Sequence, residues 1–148
     1  MDIEYAQVMH HYFNAVLKLR QNLRQRVQKQ LIEHGHADIT LEMTQVLYFL
    51  SISTESGEAN QQEIADGLGK NKSSLTSLID NLLKRDMLVR RINPENRRTN
   101  IISLTEKAKQ FVADLYPDVY QTYDIEKIAL DIEDIKALTK TLNAIMRS

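Results

Sequence analysis

Residues 60–84 read NQQEIADGLGKNKSSLTSLIDNLLK and contain two short helix patterns separated by a glycine turn. Asn60 is a suitable N-cap with Glu63 three residues later, as in a capping box, and Gly69 can end this first helix. Asn71 can cap the second helix, whose apolar residues follow the i, i+3, i+4, i+7 spacing: Leu75, Leu78, Ile79 and Leu82. Two helices joined by such a turn predict a helix-turn-helix.

The opposite face of the second helix is rich in short polar side chains. It carries Ser73, Ser74, Thr76, Ser77, Asp80, Asn81 and Lys84. Short hydrogen-bonding groups allow a helix to approach base edges in a DNA major groove, and the amides at the start of the helix can bind a phosphate. An ordinary solvated face is the alternative, but such a face more often carries long Glu and Lys side chains. The pattern therefore favours a recognition helix.

A β-hairpin pattern follows the second helix. Residues 88–92 and 99–104 are β-prone, and the polar segment 93–98 separates them. Because the tip of this hairpin carries Arg97 and Arg98, the layout predicts a wing that reaches the DNA backbone or a narrow minor groove.

Long helical patterns flank this region at both ends. Apolar residues recur every three or four positions in residues 5–31 and again in residues 125–145. Thr105 and Asp131 can each cap a helix, and Pro117 is expected to break or kink the chain between them. A core of this size cannot cover the first helix along its whole length, so part of its apolar stripe is expected to meet another chain. A bundle within one chain is the alternative.

The patterns together predict one domain, residues 1–148, that is mainly α-helical with a small β-hairpin. A winged helix-turn-helix lobe, of α+β class, spans about residues 40–104 and includes a polar loop at 54–58. Terminal helices at about 1–35 and 105–148 form a dimerisation layer.

The charge is unevenly distributed along the chain. The net charge is −1, which alone argues against nucleic acid as a partner. However, residues 70–98 hold eight basic and three acidic side chains, whereas residues 114–134 hold seven acidic and one basic. This asymmetry predicts that one part of the molecule faces a polyanion.

The composition excludes several other functions. The chain has no cysteine, which excludes disulfides, thiolate catalysis and oxidation sensing through a thiol. It has neither a signal-peptide pattern nor a membrane-spanning apolar run, so we expect a cytoplasmic protein without a membrane partner. Phosphate loops, nucleophile elbows and paired carboxylate motifs are absent from the sequence, so we expect neither enzyme activity nor a cofactor. His34 and His36 lack the further ligands that zinc needs, so we expect no metal there.

Six pieces occur in a fixed order: LEMTQVL at 41–47, QEIADGLG at 62–69, SSLT at 73–76, LVRR at 88–91, NPENRR at 93–98 and LT at 104–105. Their order and spacing resemble the MarR family of bacterial transcription regulators. The resemblance implies a homodimer whose two lobes read a pseudo-palindromic operator in double-stranded DNA. It also implies a repressor that a small-molecule effector, often aromatic, releases from DNA.

The predicted functional residues form two sets. The DNA-binding set is Lys72, Ser73, Ser74, Thr76, Ser77, Asn81, Lys84, Arg97 and Arg98, and the resemblance implies that Arg98 enters the minor groove. The effector site suggested by the resemblance is lined by Tyr12, Phe13, Tyr48 and Phe49, with His10 or His11 as a cationic partner. Plain packing of these aromatic residues is the alternative.

Two positions depart from the family pattern. The family usually has aspartate where this chain has Asn96, and Asn96 offers Arg98 only a neutral hydrogen bond, so we expect a less firmly held wing tip. Asp86 stands where the family tends to have glycine. Because aspartate tolerates the left-handed conformation less well, we expect a differently built turn there.

A winged-helix module that binds protein instead of DNA is the alternative function. That function predicts the loss of basic residues from the second helix and the wing, whereas Lys72, Lys84, Arg97 and Arg98 are all present.

Overall fold

The computed structural model describes residues 2–148. Its elements are α1 (Ile3–Glu33), α2 (Leu41–Ile52), β1 (Glu58–Asn60), α3 (Gln61–Leu68), α4 (Lys72–Lys84), β2 (Leu88–Ile92), β3 (Asn100–Leu104), α5 (Glu106–Gln121), a 3-10 turn (Ile125–Ile128) and α6 (Ile132–Arg147). The strands form one antiparallel sheet in the order β1-β3-β2. The predicted mainly helical α+β class with a small sheet is confirmed. Within residues 2–148, no helix is long and apolar enough to span a membrane.

Side-chain caps start the helices where the sequence predicts them. The Asn60 side chain accepts a hydrogen bond from the Glu63 amide at 2.8 Å, and the Glu63 carboxylate accepts one from the Asn60 amide at 3.1 Å. Asp131 forms the same reciprocal pair at the start of α6, whereas the Asn71 and Thr105 side chains each accept one hydrogen bond from an amide in the first turn of α4 and α5. Each cap satisfies an amide that the first helical turn leaves without a partner, which fixes where the helix begins.

The core lies where the helix-turn-helix meets α2, α5 and the sheet. Its fully buried side chains include Val46, Leu47, Leu50, Ile64, Leu75, Ile79, Leu82 and Ile102. Burial of each such side chain contributes roughly 1.5–3 kcal/mol. Because three of them come from one stripe of α4, this helix is held with its opposite face outward.

The structure corrects three predictions about local structure. The helix α5 continues through Pro117 to Gln121, so the chain does not break at the proline, while a kink there stays a prediction. Glu58 belongs to β1 and not to the predicted loop, because residues 58–60 pair with β3. We expected the turn after α4 to avoid the left-handed conformation, because Asp86 takes the place of a glycine. Asp86 nevertheless adopts that conformation, with φ of 59°. The Thr105 hydroxyl donates to the Asp86 carbonyl at 2.8 Å, which holds this turn in place.

Candidate nucleic-acid interface

The exposed face of α4 carries the polar side chains that the sequence assigns to DNA. Leu75, Ile79 and Leu82 are completely buried, whereas the predicted DNA-binding residues of α4 are exposed except Thr76, which is half-buried. At the start of the helix, Asn71 accepts hydrogen bonds from the Ser74 amide at 2.8 Å and the Ser73 hydroxyl at 3.0 Å. The structure therefore presents one continuous hydrogen-bonding strip along α4.

The tip of the wing, residues 93–99, is held by two asparagine side chains. Asn93 accepts from the Glu95 amide at 3.0 Å and donates to the Thr99 hydroxyl at 3.2 Å. Asn96 accepts from the Arg98 amide at 3.1 Å. The expected contact of Asn96 with the guanidinium is replaced by this contact with the backbone. It orders the chain at Arg98 while leaving that side chain exposed.

Ion pairs divide the eight basic residues of the 70–98 segment into two groups. Arg85 pairs with Asp38 at 3.1 Å, Arg90 pairs with Asp80 at 3.3 Å, and Arg91 pairs with Glu58. The hydrogen bond from Arg85 is the main reason that the pKa of Asp38 lies below its ordinary value. Among the described residues, five of the eight form no ion pair: Lys70, Lys72, Lys84, Arg97 and Arg98.

A groove of about 260 Å³ connects α4 with the wing. Lys72 lines it on the side of α4 and Arg98 on the side of the wing, with Asn60 and Gln61 of the β1–α3 junction between them. Gln61 also donates a hydrogen bond to the Thr76 hydroxyl at 3.4 Å. Sequence reasoning missed Gln61, because only the fold brings the start of α3 beside the middle of α4.

Only two of the four predicted aromatic effector residues, Tyr48 and Phe49, line one cavity. Tyr48 stacks on Tyr116 with ring centroids 3.7 Å apart, and Tyr120 lies 5.3 Å from Tyr116. These three rings, the tyrosine cluster, line a cavity of about 220 Å³, together with Phe49. Tyr12 and Phe13 are absent from that lining. They pack edge to face on each other, 5.1 Å apart.

Burial sets the ionisation of the tyrosine cluster. Tyr116 is only 5% exposed, and its burial raises the pKa of its phenol far above the ordinary value of 10.0. Burial also raises the pKa of Tyr120. Both phenols therefore remain neutral hydrogen-bonding groups over the physiological pH range. The sequence signal that could have found this pair is their spacing of four residues, which places both on one face of α5.

The histidines that raised a metal question lie apart from the DNA-facing surface. His34 contacts Asp118 at 3.0 Å, and the His36 ring packs against Phe111 at 4.9 Å. Within residues 2–148, no group of three or more His, Cys, Asp or Glu residues is arranged to hold a metal ion.

The terminal helices expose large apolar surfaces. In α1 only Val27 and Leu31 are buried, and α6 has no buried residue. The exposed apolar side chains of the two helices include Ile3, Tyr5, Val8, Phe13, Leu17, Ile132, Leu138 and Leu142. Such surface on an amphipathic helix usually indicates a contact with another molecule.

The segment that follows α5 is fastened to α1. Arg26 donates to the Thr122 carbonyl at 2.7 Å, and its guanidinium lies 3.9 Å from the centre of the Tyr123 ring. Tyr123 donates to Asn22 at 2.7 Å. These contacts fix the start of the terminal segment relative to the first helix.

A helix-turn-helix with a basic wing and an outward-facing second helix defines a winged-helix DNA-binding protein. The sequence model described as "MarR family" matches residues 41–99. From α2 to the tip of the wing, the chain is therefore similar to the transcriptional regulators of the MarR family.

Individual relatives are distant in sequence but cover most of the chain. The HTH-type transcriptional regulator MhqR of Bacillus subtilis is 23% identical over 90% of this chain and 88% of its own length. The fold is similar to that of a solved S. aureus MepR–DNA complex, with TM-score 0.72, 20% identity and coverage of 92% of this chain and 96% of that one. It is also similar to NadR in complex with 4-hydroxyphenylacetate, with TM-score 0.73, 21% identity and coverage of 88% and 89%.

Proposed function

We propose that this chain is a homodimeric transcriptional repressor that binds a pseudo-palindromic DNA operator and is released by a small-molecule effector. The observation that carries the proposal is the arrangement of the five unpaired cations. Lys72 and Lys84 lie at the two ends of α4, and Arg97 and Arg98 lie at the tip of the wing. Cations placed in this way can contact phosphates on both sides of a groove that α4 enters.

The short side chains of α4 support a role in base recognition. Serine, threonine and asparagine can donate to or accept from base edges without holding the helix away from the groove floor. The wing then extends along the duplex, where a narrow minor groove attracts an exposed guanidinium such as that of Arg98. Both elements are fixed by the core, so they reach the DNA together.

The exposed faces of α1 and α6 support the homodimer. Ile132 is 62% exposed, Leu138 53% and Leu142 39%, all on one side of a helix with no buried residue. A second copy offers the same apolar surface, and a two-fold dimer can pair the two surfaces symmetrically. Two lobes related in this way read half-sites about one helical turn apart, roughly 10 base pairs.

The tyrosine cluster supports an effector site between α2 and α5. Its cavity is walled mainly by aromatic and aliphatic side chains, and the buried phenol of Tyr116 offers a neutral hydrogen-bonding group. An aromatic molecule can stack on such rings. The similar protein NadR was solved with 4-hydroxyphenylacetate, which makes this compound a suitable first probe. We propose a repressor because a dimer bound to its operator can block transcription simply by occupying that DNA.

The proposed DNA binding is tested by a gel shift on the DNA upstream of the protein's own gene across a salt series. Five cations in each protomer predict a loss of affinity of about 10³-fold or more between 50 and 200 mM salt. A random duplex of the same length is the control and should bind more weakly. Binding without steep salt dependence, or without preference over the random duplex, contradicts the proposal and favours the protein-binding alternative.

The effector site is tested by adding 4-hydroxyphenylacetate to the operator complex and measuring release. Tyr48→Ala should abolish the response while leaving operator binding intact. Phe13→Ala is the matched comparison, because Phe13 belongs to the sequence prediction but lies outside the cavity. A response lost in the Phe13 variant alone would move the effector site to the dimerisation layer.

A further inference from the structure

The hydroxyl of Thr76 differs from those of Ser74 and Ser77, because its hydrogen is already engaged within the protein, as is that of Ser73. Its Oγ1 donates to the Lys72 carbonyl one turn earlier at 2.9 Å. The same oxygen accepts a hydrogen bond from the Gln61 side chain at 3.4 Å. The donor of Thr76 is therefore committed, and one of its two acceptor positions is filled.

The neighbouring serines on the same strip are less constrained. Within residues 2–148, the hydroxyls of Ser74 and Ser77 have no hydrogen-bond partner, so each can donate to a ligand. Thr76 lies three residues after Ser73 and four after Lys72, which places it on the same outward strip of α4. It remains partly exposed despite its internal hydrogen bonds.

We propose that Thr76 determines operator specificity through its γ-methyl group and not through its hydroxyl, and that it selects a thymine. The inference deepens the proposed function and depends on it. In the major groove, thymine is marked by its C5-methyl group, and a threonine methyl is one of the side-chain groups that pack against it. With its donor committed and one acceptor position filled, Thr76 offers the methyl as its main group for discrimination.

Gln61 acts as the positioning residue in this arrangement. It is the first residue of α3, and its side chain spans from that helix to Thr76. The hydrogen bond, together with the one to Lys72, fixes the rotation of the Thr76 side chain. The χ1 rotamer of Thr76 decides whether its methyl or its hydroxyl faces a base. A fixed rotamer therefore keeps the methyl available to contact thymine.

The first experiment uses the unmodified protein. An operator is selected from random duplexes by binding to the full chain, and each thymine in one half-site is then replaced in turn by deoxyuridine, which lacks only the methyl. The dissociation constant is measured by fluorescence anisotropy at fixed salt. At one thymine per half-site the replacement should weaken binding about fourfold, as expected for one buried methyl group. If no replacement changes affinity by twofold, the inference is overturned.

Two variants assign the effect to Thr76. Thr76→Val loses the hydroxyl but keeps a methyl in the single χ1 rotamer that valine prefers in a helix, so it should retain both affinity and the preference for thymine over deoxyuridine. Thr76→Ser keeps the hydroxyl and loses the methyl. Its dissociation constants for the deoxyuridine and thymine duplexes should therefore be about equal at that position. Circular dichroism confirms that both variants are folded. A serine variant that still prefers thymine, or a folded valine variant that loses the preference, overturns the inference.

Failure of this inference is distinguishable from failure of the proposed function. If no duplex is enriched over the random pool, the chain does not recognise DNA sequence, and the proposed function itself is wrong. If an operator is found but the deoxyuridine series is flat, the regulator is confirmed, and the role assigned to Thr76 is wrong.

Discussion

Gly67 lies directly against the ring of Phe49. A Cβ atom placed on Gly67 would be 2.2 Å from Cε2 and 2.6 Å from Cζ of that ring. Gly67 is the second-to-last residue of α3 and does not have a positive φ, so the glycine is needed for close approach and not for a left-handed conformation.

Gly67→Ala should therefore destabilise the protein by about 1 kcal/mol. Helix propensity favours alanine by about 1 kcal/mol, whereas displacing a packed ring costs about 1–3 kcal/mol. Urea unfolding of the variant measures the difference. In a Phe49→Ala background the same substitution should instead stabilise by about 1 kcal/mol. If Gly67→Ala still lowered the free energy of unfolding in that background, the Phe49 ring would not be the cause of the destabilisation.

Arg98→Ala should weaken operator binding about tenfold and reduce the salt dependence by about two counterions, one for each protomer, without unfolding the protein. The physical reason is that Arg98 is exposed at the wing tip and forms no ion pair within the described residues. The measurement is a gel shift across a salt series. Arg91→Ala is the matched control, because Arg91 is already paired with Glu58 and should change affinity much less. Equal effects of the two substitutions on affinity would contradict the division of the basic residues into ion-paired and unpaired groups.

Leu142→Asp should dissociate the homodimer. Leu142 lies on the exposed apolar face of α6, and a carboxylate there would have to be buried without a partner when two copies meet. Light scattering with size-exclusion chromatography measures the mass. Asn143→Asp adds the same charge at the neighbouring position and should remain dimeric. A Leu142 variant that still has the mass of two chains would place the interface elsewhere.

Alkaline pH should destabilise the fold from about pH 10 upward. Burial raises the pKa of Tyr116 above the unfolded value of 10.0, so the folded state resists ionisation of this phenol. The sign follows directly. The stabilisation is complete below pH 10 and is lost as the pH rises toward the folded pKa. Absorbance at 295 nm should show a last ionisation step that coincides with loss of helical signal. Tyr116→Phe should remove that last ionisation step. Tyr5→Phe, at an exposed tyrosine, should lower only the total change in absorbance at 295 nm.

Local interactions account for what the sequence predicts well. Each of the caps at Asn60, Asn71, Thr105 and Asp131 joins two residues that are three positions apart, so both partners are close together in the sequence. The same holds for the apolar stripe of α4 and for the two long strands. These features were sufficient for the class of fold and for the predicted DNA-facing strip.

Long-range contacts account for what was missed. Tyr48 and Tyr116 are 68 positions apart, so sequence spacing offers no reason to join them, and the sequence prediction does not include Tyr116. The three-residue strand β1 has no pattern of its own and exists only because β3 pairs with it. The ion pairs of Arg85 and Arg90 likewise depend on tertiary neighbours, and a count of charges along the chain cannot reveal them.

Asn60 is both the last residue of β1 and the cap of α3, so no flexible residue separates the sheet from the helix-turn-helix. In the complex that we propose, the distance along the duplex between the bases under α4 and the minor groove under the wing is therefore set by the fold of one lobe. One base pair inserted between those contacts should abolish recognition, however similar the two DNA sequences are.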